Sequence, residues 1–221
     1  MKAMILAAGR GERMRPLTDA TPKPLLQAGG KALIEYAIEN LVKNGFTDIV
    51  VNIAYRGAQI CEFCGDGGRW GASIVYSDEG ETALETAGGI ANALPLLGGG
   101  PFLVVNSDVI CDYPLAALRG KPAQHLAHLV MTANPPHHPA GDFSLTAAGL
   151  LSDRDGAKLT FSGIGVYQPG FFADVPAAVL KLRPLLNRAV RHGQISGEHY
   201  AGLWLDIGTP QRLAEVERLY S

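Results

Sequence analysis

Four cationic side chains, Arg10, Arg13, Arg15 and Lys23, follow closely on a short apolar run, Ala3-Met4-Ile5-Leu6-Ala7-Ala8, that breaks into Gly9-Arg10-Gly11. This grouping reads as a phosphate grip. An apolar run ended by glycine suggests a buried strand, and small residues beyond it let a ligand reach backbone N–H groups. Pro22 and Pro24 stiffen the chain around Lys23, so its ammonium is presented from a restrained segment. The dinucleotide fingerprint does not fit, because its third glycine position holds Met14, and no Gly-Lys-Ser/Thr closes a Walker loop. Arg10 and Arg15 have an equally good reading as solvent-facing charges.

Two carboxylates far apart in the chain could hold a metal ion. Asp108 ends the apolar run Phe102-Leu103-Val104-Val105-Asn106-Ser107, and Asp206 stands in Trp204-Leu205-Asp206-Ile207-Gly208-Thr209-Pro210. Ligands of open α/β sheets bind beyond the carboxyl ends of strands, and Mg2+ needs only one or two carboxylates when substrate phosphates complete its shell. Taken alone, each aspartate also has a reading as a helix or turn cap. Cys61-Glu62-Phe63-Cys64 lacks a second Cys/His pair at zinc spacing and reads as a partly buried helix. The His137-His138 pair between prolines reads as loop, with metal binding as the alternative.

The elements that must position these groups alternate between strand and helix. Ala3 to Ala7, Asp48 to Asn52, Ser73 to Ser77 and Phe102 to Val105 read as strands of a largely parallel sheet. A helix is expected from Leu33 to Asn44 with Gly45 as its stop, and another from Ala83 to Leu94, where Gly88-Gly89 imply close approach of a strand or ligand. Beyond Cys111, Leu126 to Thr132, Phe143 to Leu145 and Leu159 to Tyr167 predict mixed sheet. A helix from Pro176 to His192, broken near Pro184, and one after Thr209-Pro210 with Leu213, Val216, Leu219 and Tyr220 as its buried stripe complete the chain.

The 221 residues suit one domain better than two, in halves of about 1–110 and about 111–221. Charged residues are 18 % and the net charge is −2, so no basic face points to nucleic acid. No apolar stretch approaches a membrane span, and the N-terminus does not read as a signal peptide. A cytoplasmic enzyme of small molecules is expected, as a monomer or small homo-oligomer, its three cysteines reduced.

The run from Leu6 to Leu25 meets the pattern L-A-A-G-x-G-x-R-x-x-P-x-T-x-x-x-P-K-P-L and resembles the signature loop of the sugar-1-phosphate nucleotidyltransferases. The W-x-D-x-G-T-P segment extends the resemblance to Pro210. It implies a Rossmann-like three-layer α/β sandwich with a mixed, mostly parallel sheet, transfer of a nucleotidyl group to a sugar 1-phosphate, and Mg2+ held by Asp108 and Asp206. It implies that Arg13 grips the pyrophosphate and Lys23 the α-phosphate as catalytic residues. Ala7, Ala8, Gly9, Gly11, Glu79 and Gly88 would complete the nucleotide site. Thr86, Gly88, Asn106, Gly141, Asp142, Lys158 and Ser162 would meet the sugar. The chain leaves no room for the left-handed β-helix of longer bacterial members.

There are two departures from the family's pattern. No glutamine stands in Ser77-Asp78-Glu79-Gly80, so Asp78 or Glu79 faces the base or ribose, or serves as a turn. The Glu-Lys-Pro triplet is missing before Phe161, leaving Lys158 either as its substitute or as a turn lysine. Short length, the missing triplet and the His137-to-Phe143 wording most resemble the family's bacterial branch acting on N-acetylmuramate 1-phosphate with UTP. Thymidylyl or guanylyl transfer to glucose or mannose 1-phosphate, and a catalytically silent nucleotide-sugar sensor, are the alternatives.

Overall fold

The computed structural model describes residues 1–122, 124–154 and 156–220, apart from the side chains of Leu219 and Tyr220. Chain order begins with β1 (Ala3–Leu6), a small hairpin of β2 (Gln27–Ala28) and β3 (Lys31–Ala32), and α1 (Leu33–Lys43). It continues with β4 (Asp48–Ile53), α2 (Gly57–Cys64), β5 (Ser73–Asp78), α3 (Glu85–Leu97), β6 (Phe102–Asn106) and β7 (Val109–Cys111). The second half adds β8 (Ala127–Thr132), β9 (Phe143–Leu145), β10 (Leu151–Ser152), β11 (Lys158–Tyr167), α4 (Leu182–Arg191), β12 (Ile195–His199), β13 (Trp204–Asp206) and α5 (Pro210–Tyr220).

Among the described residues, nine strands form the main sheet. Its parallel part runs β5-β4-β1-β6, so the chain steps outward from β1 and then returns to β1's other side. The crevice at such a reversal, beyond the strands' carboxyl ends, is where this architecture binds ligands. Strand β11 then pairs antiparallel with β6 and with β8, and β12 lies parallel to β8, giving the expected mixed sheet.

Strands buried on both faces explain the unbroken apolar runs. Ala3 and Ile5 pack on Ile34, Ile38 and Leu41 of α1, whereas Met4 packs on the opposite side with Ala87, Ile90 and Ala93 of α3. The result is three layers, with α1 and α2 on one face and α3 and α4 on the other.

Helix α1 starts where Glu35 Oε2 accepts the Ala32 N–H at 2.9 Å and stops as expected at Gly45, whose φ is 77°. The glycine pair in α3 has two separate neighbours. A Cβ on Gly88 would stand 1.8 Å from the Ala178 carbonyl oxygen, and one on Gly89 would stand 2.4 Å from Glu79 Oε1.

That docking corrects the expected helix from Pro176. Leu180 donates to the Leu84 carbonyl at 2.9 Å and accepts from the Ala87 N–H at 2.9 Å. Both backbone groups of Leu180 are therefore spent on the start of α3 and are lost to a helix of their own. Pro184 does not break α4, which begins at Leu182, because in a first turn its missing N–H forfeits no bond. In α5, Val216 is buried as expected and Leu213 packs beside it; the stripe's Leu219 and Tyr220 lie outside the described side chains.

Candidate active site

Beyond the carboxyl ends of β1 and β6 lies a cleft of about 480 Å3. The 7–14 loop forms one wall, Lys23 and Asp108 lie along it, and Asn52, Glu79, Glu85 and Thr86 close the far side. Gly11 sits in the left-handed region with φ of 68°, and a Cβ there would meet Lys23 Cβ at 3.0 Å. Gly9 is different: among the described residues, none but its own chain neighbours comes within 4 Å of its Cβ position, so its missing side chain leaves open space at the cleft.

The cations divide sharply. Arg15 is tied to Asp19 at 2.6 Å and turns away from the cleft, while Arg10 pairs with Glu12 at 3.0 Å and lies over the Tyr55 ring. Arg13 lines the cleft and has no hydrogen-bond or ion-pair partner among the described residues. Lys23 is ion-paired with Asp108, its side chain only 13 % exposed. The Arg13 guanidinium and the mostly buried Lys23 ammonium thus bring two cations to this cleft.

The far wall of the cleft is built by a relay that the sequence did not disclose. Asn52 accepts the Ala7 N–H through Oδ1 at 2.8 Å and donates Nδ2 to Glu79 Oε1 at 2.6 Å, while Glu79 Oε2 accepts the Leu84 N–H at 2.6 Å. Burial pushes the Glu79 carboxyl above the usual glutamate range, against the pull of its Leu84 and Asn52 donors. Asp78 instead caps its own turn, accepting the Gly80 N–H at 2.8 Å. Asn52 could have been suspected as the one polar residue near the end of the otherwise apolar run Ile49 to Ile53.

The two aspartates come together through their backbones, Ile207 donating to the Asp108 carbonyl at 2.8 Å. Asp206 is held by Arg212 and by His137 Nε2 at 3.3 Å, and of the two aspartates only Asp108 lines the cleft. A Cβ on Gly208, which also lines the cleft, would fall 2.8 Å from Arg212 Nη2 and 3.2 Å from Arg13 Nη2. Each carboxylate thus already draws a cation to its side. Among the described residues no three acidic, His or Cys side chains form a self-sufficient metal site. Two hard oxygen donors that need substrate phosphates to complete a shell match the demands of Mg2+.

A second cavity of about 460 Å3 adjoins the first and shares Leu6, Glu85, Thr86 and Asn106 with it. Asp142 and Gly163 line it, together with Lys181 and Arg183, which the sequence reading overlooked because their segment was taken as mid-helix. Gly88, Gly141, Lys158 and Ser162 line neither cavity. The Ser162 hydroxyl is buried and donates to the Val130 carbonyl at 2.7 Å; the Lys158 carbonyl accepts Asn134 Nδ2 at 2.9 Å. Cys61, Cys64 and Cys111 are free thiols, and burial pushes Cys64 up to about 12, which suits a packing residue better than a reactive one.

Comparison with known proteins agrees with this geometry. A profile described as nucleotidyl transferase matches residues 2–156. The N-acetylmuramate alpha-1-phosphate uridylyltransferase of Neisseria meningitidis serogroup B is 52 % identical, the alignment covering 99 % of this chain and 98 % of that one. The protein of the same name from Caulobacter vibrioides is 38 % identical over 98 % and 96 %. The mannose-1-phosphate guanyltransferase of Neurospora crassa is 33 % identical, covering this whole chain but 64 % of that longer relative. In three dimensions, a putative glucose-1-phosphate thymidylyltransferase from Bacillus anthracis superposes with a TM-score of 0.86 at 21 % identity, over 100 % of this chain and 95 % of its own. A glycine- and arginine-bearing loop lining a cleft at the sheet reversal, a profile match over residues 2–156 and full-length similarity at this level lead to one conclusion: the chain belongs to the nucleotidyl transferase family.

Proposed function

We propose that the protein transfers a uridylyl group from UTP to N-acetylmuramate α-1-phosphate, forming the UDP-sugar and pyrophosphate as a step of peptidoglycan recycling. The observation that carries this reading is 52 % identity to the Neisseria uridylyltransferase across nearly the whole of both chains. The more distant guanyltransferase relatives make mannose 1-phosphate and GTP the competing substrates. We read the chain as one catalytic unit, its nucleotide half over about residues 1–110 and its sugar half over about 111–221. The reaction is placed in the cytoplasm, where UTP is formed, in accord with three free cysteines. No helix among the described residues is long and apolar enough to cross a membrane.

In this mechanism the sugar-phosphate oxygen attacks the α-phosphorus of UTP and pyrophosphate leaves. A phosphate oxygen needs no general base, so the protein aligns the reactants and offsets charge. Ala7, Ala8, Gly9 and Gly11 carry the nucleotide on the loop, with Ala7 fixed by Asn52 and Glu79. Lys23 meets the α-phosphate, and unpartnered Arg13 takes the pyrophosphate. Thr86 and Asn106 stand where the two cavities meet and orient the sugar phosphate, while Asp142 shapes the far wall. The family generally uses a divalent metal; we assign Mg2+ to Asp108 and Asp206, where it would neutralise phosphate charge. Pyrophosphate release measured with each nucleoside triphosphate against each sugar 1-phosphate tests the reading. Release with UTP and N-acetylmuramate 1-phosphate is expected, and preference for GTP with mannose 1-phosphate would replace it.

A further inference from the structure

Resting on that reading of the sugar, we propose that Lys181 and Arg183 make the second cavity a receptor for the acidic ether substituent that distinguishes N-acetylmuramate from N-acetylglucosamine. The substituent carries a methyl group and a carboxylate on one carbon. The cavity offers matching surfaces, with Phe143, Phe161 and Leu186 as apolar wall and the two cations beside them.

Arg183 is held in place rather than loose. Its Nη1 binds Asp142 Oδ1, its Nη2 donates to the Asp142 carbonyl at 3.3 Å, its Nε donates to Asn187 Oδ1 at 3.0 Å, and its guanidinium lies 4.6 Å from the Phe143 ring centre. Asp142 is fixed in turn, Oδ2 accepting the Phe161 N–H at 2.8 Å and Oδ1 facing His138 Nε2 at 3.3 Å. The Asp142 carboxylate is therefore occupied in orienting a base and would itself repel an acid. The remaining Nη hydrogens of Arg183 stay available, because a guanidinium carries five donors. Lys181 has no hydrogen-bond or ion-pair partner among the described residues, so none of them holds its charge.

Tyr167 also lines this cavity; it is 1 % exposed, and its hydroxyl has no hydrogen-bond partner among the described residues.

The test is the ratio of kcat/KM for N-acetylmuramate 1-phosphate to that for N-acetylglucosamine 1-phosphate, with UTP and Mg2+. The two sugars differ only in the ether. In Lys181→Met and in Arg183→Met the ratio is expected to fall at least tenfold, mainly through KM for the muramate sugar, and Arg183→Lys should recover part of it. Since Arg183 also holds Asp142, the exposed Lys181 provides the variant least coupled to folding. An equal decline with both sugars, or an unchanged ratio in folded Lys181→Met, would overturn the proposal and leave the uridylyl-transfer reading intact. A wild-type protein silent with the muramate sugar but active with another would overturn both.

Discussion

Asn52 Oδ1 stands 2.8 Å from the Ala7 backbone nitrogen, joining the end of β4 to the first residue of the loop after β1. Through Nδ2 the same amide reaches Glu79, and Glu79 reaches Leu84. Three segments that meet at the cleft are thus tied by one side chain that is 3 % exposed.

Asn52→Ala leaves the Ala7 N–H buried and unpaired, which should cost about 1–3 kcal/mol. For a domain of this size each kcal/mol lowers Tm by roughly 2–4 °C. Calorimetry should show that loss, and isothermal titration should show weaker nucleotide binding. Tight binding retained in Asn52→Ala would mean the loop holds its shape without this tether.

Removing the ammonium of Lys23 should slow turnover by about 10²–10³-fold, the usual effect of losing one preorganised group that stabilises transition-state charge. The variant Lys23→Ala also frees Asp108, whose only ion-pair partner among the described residues is Lys23. Pyrophosphate release alongside circular dichroism separates lost chemistry from lost fold. Near-normal turnover would remove Lys23 from the catalytic role.

Asp108→Asn should raise the Mg2+ concentration needed for half-maximal activity, since it replaces a charged oxygen donor with a neutral one. Asp206→Asn should act in the same direction, with an added loss of order where Arg212 and His137 now converge. Activity titrated against Mg2+ after chelator treatment reads both effects. An unchanged Mg2+ requirement in both variants would relocate the metal.

Gly88→Ala should destabilise the fold by at least about 1–3 kcal/mol, the range for overpacking, because its Cβ would stand 1.8 Å from the Ala178 carbonyl oxygen. The backbone of residues 176–181 must move away from α3, carrying Lys181 and Arg183 with it. Denaturant melts should show the loss of stability, and faster hydrogen exchange at the Ala87 and Leu180 amides should locate it. A wild-type melt would contradict the packing argument.

His128 is 2 % exposed between Ser196 Oγ at 2.9 Å and Glu198 Oε2 at 3.1 Å. Burial lowers its pKa, with the Glu198 hydrogen bond opposing and the nearby charges of Lys121 and His125 reinforcing. A histidine depressed in the fold binds its proton more readily when unfolded. Its contribution to stability is therefore full above its unfolded pKa of about 6.5 and is lost as pH falls through the lower folded value. Tm measured from pH 7.5 down to pH 5 should decline with a slope that His128→Asn flattens. Equal slopes would place the acid sensitivity elsewhere.

Much of the molecule was legible in the chain because it depends on neighbours in sequence. Glycine at a left-handed position, proline beside Lys23, apolar runs of strand length and the stripe of α1 all act over a few residues, and they yielded the mixed, mostly parallel sheet and the glycine-bearing loop that follows its first strand. Tertiary structure decided what distant segments do to one another. The expected helix does not start at Pro176, because the backbone of Leu180 bonds to the start of α3 instead. Asn52 becomes part of the cleft because β4 lies beside β1, and Arg183 enters the second cavity because Asp142, far away in sequence, holds it there. Local conformational preferences are written residue by residue, whereas the partner of a buried polar group is set only when the layers close and each donor must find its acceptor.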